Sequence, residues 1–277
     1  MKSFLAALIG IIACATASTA SAADVKLWRL DCGSILVKDL SAFSDTFDYA
    51  GKSRTLTDSC YLIRHDAQYL LWDTGLPAEL LNAPLDPNAP MAPTLKATLA
   101  DQLAKIDVKP DQIELVGISH YHFDHTGQAA AFPQAKLLMG SLDLAEMKRD
   151  PLPFAAVPQH LKPWLADGAP VEAVTGDKDV FGDGSVTMLS MPGHTPGSYA
   201  LLVRLAKTGP VLLSGDIVHF EEQIKVKGVP PFNTDRAESL ASMDRLTHMA
   251  KSLGALLIVQ HDASDIRKLP AFPRAAD

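Results

Sequence analysis

The segment Ser119-His120-Tyr121-His122-Phe123-Asp124-His125-Thr126-Gly127 gathers three of the chain's 9 histidines and one carboxylate directly after the apolar run 113–118. Three imidazoles at the end of a buried strand lose hydration and repel one another when charged, a cost that a bound cation removes. A lone histidine is usually a satisfied core or surface group, but that reading does not explain this density. Imidazole nitrogen with carboxylate oxygen and no thiolate suits Zn²⁺, and less specifically Mn²⁺, Fe²⁺ or Co²⁺.

Further donors stand at turns and strand ends. His194 lies in Met191-Pro192-Gly193-His194-Thr195-Pro196-Gly197, where two prolines and two glycines make a stiff loop that holds an imidazole at low entropic cost. Asp216 closes the run Val211-Leu212-Leu213-Ser214-Gly215, and His261 closes Leu257-Ile258-Val259-Gln260. Each alone reads as a turn residue; with the first cluster they read as ligands.

Working outward, strand-like runs rich in Val, Ile and Leu occur at 25–37, 61–64, 69–72, 113–118, 136–139, 186–191, 200–205, 211–214 and 255–259. Leu95, Leu99, Leu103 and Ile106 recur at helical spacing, as do Leu240, Met243, Leu246 and Leu253. Asp235 with Glu238 starts the second helix and Gly254 ends it. A weak internal echo links the halves. A strand ending at Asp73 leads through a helix to a strand ending at His120, and another ending at Asp216 leads likewise to His261, at separations of 47 and 45 residues. Two similar half-domains packed face to face would bring these strand ends to one edge.

The 277 residues are 47% hydrophobic with only 3 cysteines, which excludes disorder and a disulfide-framework miniprotein. With 25 Lys and Arg against 32 Asp and Glu, the net charge is -7 and no basic run appears, so nucleic acid is not an expected partner. Lys2 precedes an apolar stretch ending in Ala20-Ser21-Ala22, which predicts a signal peptide over 1–22 cut after Ala22. That stretch is too short to span a bilayer. A lipoprotein site at Cys14 is the lesser alternative. Export places Cys32 and Cys60 in an oxidising compartment, as either a disulfide or two buried thiols. No low-complexity linker divides 23–277, which predicts one domain in a periplasmic or secreted protein.

These residues resemble the metallo-β-lactamase superfamily, whose HxHxDH signature stands here as His120, His122, Asp124 and His125, followed in order by His194, Asp216 and His261. The resemblance implies an α/β fold, the αβ/βα four-layer sandwich of two similar half-domains, with two divalent ions, most simply Zn²⁺. It implies that His120, His122 and His194 hold one ion, that Asp124, His125 and His261 hold the other, and that Asp216 bridges them. Asp73, in Trp72-Asp73-Thr74-Gly75, would position the metal loop rather than ligate.

Asp58-Ser59-Cys60-Tyr61-Leu62-Ile63, Trp72-Asp73-Thr74-Gly75-Leu76-Pro77 and Leu213-Ser214-Gly215-Asp216 are most similar to the N-acyl-homoserine lactonase family. That likeness implies opening of a lactone ring by a hydroxide held between the ions, with Asp124 accepting or relaying a proton. Lactonases of this family place a tyrosine three residues after the bridging Asp; this chain has His219, read either as a hydrogen-bond or proton donor to the substrate or as a polar loop residue. Phe43, Phe47, Tyr49, Phe220, Pro230, Pro231 and Phe232 supply either an acyl-binding wall or core, and 85–90 reads as an ordinary surface loop or as one that borders the site. The expected partner is a small lactone or ester, with a homodimer as the protein partner considered and no membrane span. The rival readings are another ester, phosphotriester or β-lactam hydrolase, and a non-catalytic periplasmic metal-binding protein.

Overall fold

The computed structural model describes residues 23–86 and 88–277. The expected signal segment 1–22, including Cys14, lies outside the described residues. Among the described residues, no helix is long and apolar enough to cross a membrane. The strands are β1 (Val25–Val37), β2 (Arg54–His65), β3 (Gln68–Trp72), β4 (Met91–Thr94), β5 (Leu115–Ile118), β6 (Lys136–Gly140), β7 (Val171–Val174), β8 (Lys178–Asp179), β9 (Val186–Ser190), β10 (Tyr199–Leu205), β11 (Gly209–Leu213) and β12 (Leu256–Ile258). The helices are α1 (Leu99–Ala104), α2 (Phe123–Thr126), α3 (Ser141–Glu146), α4 (Glu221–Val226) and α5 (Arg236–Leu253).

The strands form a 7-stranded sheet in the order β4-β1-β2-β3-β5-β6-β7 and a 5-stranded sheet in the order β12-β11-β10-β9-β8. Tyr61, Ile63, Leu70 and Trp72 of the first pack against Met188, Leu201, Val203 and Leu213 of the second in one apolar core. On the outer face of the first sheet, Leu99 and Leu103 of α1 and Leu144 of α3 cover Leu62, Leu71 and Val116. On the outer face of the second, Met243 and Leu246 of α5 cover Leu189, Leu202 and Leu212. Helix, sheet, sheet, helix is the four-layer order expected.

The internal echo is real as topology. β3 and β5 run parallel with Trp72 opposite Gly117, and β11 and β12 run parallel with Leu213 opposite Ile258. The likeness stops there, since α1 has 6 residues and α5 has 18. Thr98 caps α1 through a reciprocal bond with Asp101, so Leu95 falls outside the helix it was expected to join. At α5 the Asp235 carboxylate accepts from Glu238 N and Gly254 adopts φ 59, as the end signals predict.

Two strand expectations need correction. β2 begins at Arg54 rather than Tyr61, because 54–59 pair residue by residue with β1 although Thr57, Asp58 and Ser59 are polar. The expected set also lacks β4, β7 and β8. All three are sheet edges of 4, 4 and 2 residues, too short for an apolar run to register.

The β1–β2 register shifts between Asp31 and Gly33, leaving Cys32 in a bulge, where it forms a disulfide with Cys60 across a Cα separation of 5.7 Å. This bridge supports the turn after β3. Gly75 sits at φ +63, and a Cβ there would lie 2.3 Å from Cys32 Cβ, so only glycine lets the turn rest on the disulfide.

Candidate metal centre

Parallel strands end together, so the turns after β3 and β5 gather at one edge of the first sheet and those after β11 and β12 at one edge of the second; the two edges adjoin, since Asp216 Oδ1 is 3.3 Å from His125 Nε2. Asp73 follows β3 in a left-handed conformation, φ 56, unfavourable for a non-glycine residue. In that pose its Oδ1 accepts from Ser119 N at 2.7 Å and its Oδ2 lies 2.9 Å from His125 Nδ1. Thr74 N donates to His125 O at 2.7 Å and Gly127 N to Gly75 O at 2.8 Å, locking the two loops together.

The expected ligands converge in two clusters. His194 Nε2 lies 3.1 Å from both His120 Nε2 and His122 Nδ1. Donor atoms of Asp124, His125 and His261 lie within 4.8 Å of one another in the second. Asp216 stands between them: Oδ2 is 3.8 Å from His120 Nε2 and 3.5 Å from His194 Nε2, whereas Oδ1 is 3.3 Å from His125 Nε2 and 3.0 Å from His261 Nε2. All seven expected metal residues are thus brought together.

Each imidazole but His122 has its second nitrogen engaged away from the cluster. His120 Nδ1 meets Ser119 Oγ, His125 Nδ1 meets Asp73, His194 Nδ1 lies 2.9 Å from Asn233 Oδ1, and His261 Nδ1 lies 2.7 Å from Thr57 O. Such partners orient ligand histidines and select their tautomers. Two residues that support the ligand loops escaped the sequence reading. Asn233, held by its Nδ2 donating to Ser239 Oγ at 2.9 Å, reads locally as a residue before a helix cap. Asp143, in the first turn of α3, accepts from Tyr121 N at 3.1 Å, Thr195 Oγ1 at 2.8 Å and Gly197 N at 2.6 Å. It therefore ties the loop of His120 and His122 to that of His194, and burial pushes its carboxyl up to about 7. No local pattern marks it.

The cluster is electrostatically divided. Burial, reinforced by neighbouring histidines, holds His120 and His122 well below the usual imidazole range, and burial takes His194 down to about 3. Burial opposes charge on His125 and His261 too, but Asp216 overrides it, assisted by Asp73 and Asp124 at His125 and by Asp124 at His261, raising His261 to about 9 and His125 well above its ordinary value. Burial also works against ionising Asp216, yet His261, His125 and His219 hold its carboxyl well below the usual range. Neutral nitrogens on one side and carboxylates on the other are what a divalent cation takes as ligands. His125 Nε2 is buried with no hydrogen bond, as a nitrogen kept for such an ion would be. The donor set fits a divalent metal.

His219 belongs to the site rather than to a solvated loop. It is 3% exposed, its Nε2 is 3.3 Å from Asp216 Oδ2, and its ring stacks on that of His261. Its Nδ1 is buried and unpartnered. Above it opens a cleft of about 250 Å³ lined by Ile35, Val37, Phe43, Leu56, Phe123, Phe154 and Phe232, with His122, Asp124, His194 and Asp216 at its floor. The aromatic residues divide: Phe43 and Phe232 line the cleft, Tyr49 and Phe220 fill core beneath it, and Phe47 is exposed. Pro230 is buried and Pro231 exposed, and neither lines the cleft. The loop 85–90, read as surface that could border the site, does border it: Pro90 stands in the wall of the cleft.

The family model of the metallo-beta-lactamase superfamily matches residues 55–261. The chain is 26% identical over 263 residues to the N-acyl homoserine lactonase AttM of Azorhizobium caulinodans, covering 91% of this chain and 97% of the relative. It is 30% identical over 179 residues to the lactonase AttM of Rhizobium radiobacter, covering 62% of this chain and 68% of the relative. Its fold is similar to that of an N-acyl homoserine lactone hydrolase solved with N-hexanoyl-L-homoserine at its catalytic metal centre, with a TM-score of 0.76, 24% identity, and coverage of 90% and 98% of the two chains. The matched region contains all of the histidines and carboxylates at the sheet edge, so the chain belongs to the metallo-beta-lactamase superfamily and, with its lactonase relatives, is a hydrolase.

Proposed function

We propose that the chain opens the lactone ring of N-acyl homoserine lactones at a centre of two divalent ions, Zn²⁺ being the simplest choice. The observation that carries this reading is Asp216 placed between two donor clusters at the floor of an apolar cleft. The relatives that cover nearly the whole chain are named for that reaction. Bound divalent ions supply Lewis acidity and lower the pKa of coordinated water toward neutrality.

The protein's own groups do the rest. Ile35, Val37, Phe43 and Phe232 receive the acyl chain, and the burial gained there holds the ring over the floor. His219, which lines the cleft beside Asp216, is the side chain placed to hydrogen-bond the substrate in the position where the family's lactonases carry a tyrosine. The Asp124 side chain is 13% exposed, the most open of the floor carboxylates, and serves as the proton relay.

Parallel assays of a long-chain N-acyl homoserine lactone, a phosphotriester and a carbapenem test this reading. Lactone opening is expected to be fastest and to fall on the order of a hundred-fold or more in Asp216→Asn. Rapid carbapenem turnover without lactone opening overturns it in favour of a β-lactamase, and equal inertness of wild type and variant while both bind metal overturns it in favour of a binding protein.

Export with removal of 1–22 is the companion proposal, supported by the Cys32–Cys60 bridge, which persists in oxidising compartments. The intact mass of protein recovered from a periplasmic fraction should correspond to a chain beginning at Ala23. A chain retaining Met1, or lipid on Cys14, contradicts it.

A further inference from the structure

Asp58 is a buried carboxylate that the two clusters leave unused. Its residue exposure is 0%, and both carboxylate oxygens lack a hydrogen-bond partner. Buried carboxylates are ordinarily paired or hydrogen-bonded, because stripping a charge of water is costly. The strand offers nothing to meet that need: the residue opposite Asp58 in the β1–β2 ladder is Gly33, which has no side chain. By the alternation of β2, Asp58 shares a face with Leu56, which lines the cleft, and with Cys60 of the disulfide.

The backbone places Asp58 beside the second cluster: its neighbour Thr57 donates N–H to His261 O at 3.1 Å, and Thr57 O lies 2.7 Å from His261 Nδ1. The charges that act most on Asp58 are those of His125, Asp124, His261 and Asp73. The first three form the second donor cluster, and Asp73 holds His125. Burial pushes the Asp58 carboxyl well above its usual range, His125 and His261 draw it down, and Asp124 and Asp73 push it up. Two histidines do not offset the burial and the two neighbouring carboxylates, so the acid stays unfavourable to ionise in the metal-free chain. A divalent cation among Asp124, His125 and His261 would change that balance, being the largest local charge.

We propose that Asp58 is an outer positioning carboxylate of the Asp124–His125–His261 cluster, whose negative charge strengthens retention of the second divalent ion without ligating it. The inference rests on the two-ion reading. It gives that cluster a carboxylate beyond Asp124 and Asp216, so the two ions are held unequally and the second depends on a residue of β2 far from the HxHxDH loop in sequence. Groups acting from just outside a metal's ligands typically change affinity about 10–100-fold when removed.

The test uses the full chain with Asp58→Asn, which keeps volume and removes charge, and Asp58→Ser as a second variant. Zn²⁺ stoichiometry by elemental analysis, stepwise affinities by chelator competition, and thermal unfolding with and without Zn²⁺ are measured together. Wild type is expected to bind two ions. Both variants should keep the affinity of the first ion and weaken the second about 10–100-fold. Without metal they should unfold at a higher temperature than wild type, because an unpaired buried acid is gone, yet gain less on adding Zn²⁺. Unchanged stepwise affinities, or an equal Zn²⁺-induced gain in all three proteins, overturn the role of Asp58 while leaving the two-ion reading intact. Wild type that binds a single ion overturns that reading and the inference with it. Failure of both variants to fold with Zn²⁺ present also contradicts the proposal, since a residue that matters through the ion is not needed for folding.

Discussion

Oδ2 of Asp73 lies 2.9 Å from Nδ1 of His125, and both side chains are fully buried. Because Oδ1 of the same carboxylate accepts from Ser119 N, one acid sets both the tautomer of His125 and the backbone that leads into the histidine loop. In Asp73→Asn the amide cannot accept at both places in this pose, and the turn remains at its left-handed φ. Metal affinity at the second cluster should fall about 10–100-fold with the fold retained. Chelator competition on the purified variant measures this; unchanged affinity would show that Asp73 serves the fold alone.

Metal loading should release protons. With His261 raised to about 9 and His125 well above the ordinary imidazole value, both enter the metal-free centre charged at pH 7. A metal takes neutral imidazole, so each must lose its proton on binding. The sign follows: affinity rises with pH up to about 9, where His261 becomes neutral unaided. The stabilisation these imidazolium ions give the metal-free fold is complete below about 6.5 and is lost as pH passes their raised values. Calorimetric titration of Zn²⁺ in buffers of different ionisation enthalpy reads the protons directly. Release at pH 7 that shrinks toward pH 9 is expected; no release at pH 7 contradicts the assigned charge states.

The Cys32–Cys60 bridge closes a 28-residue separation, for which chain entropy predicts about 3–4 kcal/mol of stabilisation. Cys32→Ser combined with Cys60→Ser should lower the midpoint of denaturant unfolding accordingly. Since Leu76 N bonds Cys32 O at 3.3 Å and Gly75 rests on Cys32, the loss should also loosen the Asp73 turn and reduce bound metal. A stability loss without any change in metal content would separate the bridge from the site.

Phe154 forms the outer lip of the cleft. It is 66% exposed, and its ring lies 5.8 Å from that of His122 and 5.9 Å from that of Phe232. Phe154→Ala should raise KM for long acyl chains several-fold, by removing about 1–2 kcal/mol of burial, and leave short-chain substrates nearly unaffected. A uniform fall in kcat across chain lengths would place its role at the reacting centre.

How far the sequence revealed this molecule depends on how local each signal is. The metal loop was readable because His120, His122, Asp124 and His125 are packed into six residues, and Asp73, Asp216 and His261 because each closes an apolar strand. Cys32 and Cys60 stayed ambiguous because their meeting depends on a bulge that shifts one strand by a residue. Asp143 was invisible because the groups it joins lie 22 residues before it and 52 and 54 residues after it. Asp58 reads in sequence only as one residue of a strand motif; its isolation appears once Gly33 is seen to stand opposite. Phe43 and Phe220 look alike in sequence, and only packing separates a cleft wall from a core.

The central claim is most directly tested by kcat/KM for ring opening of N-decanoyl-homoserine lactone, measured on Zn²⁺-loaded wild type beside Asp216→Asn. The account predicts efficient opening by wild type and a loss on the order of a hundred-fold or more in the variant, because the carboxylate between the clusters contributes to both. Equal rates in the two proteins, or no opening by fully loaded wild type, would contradict it.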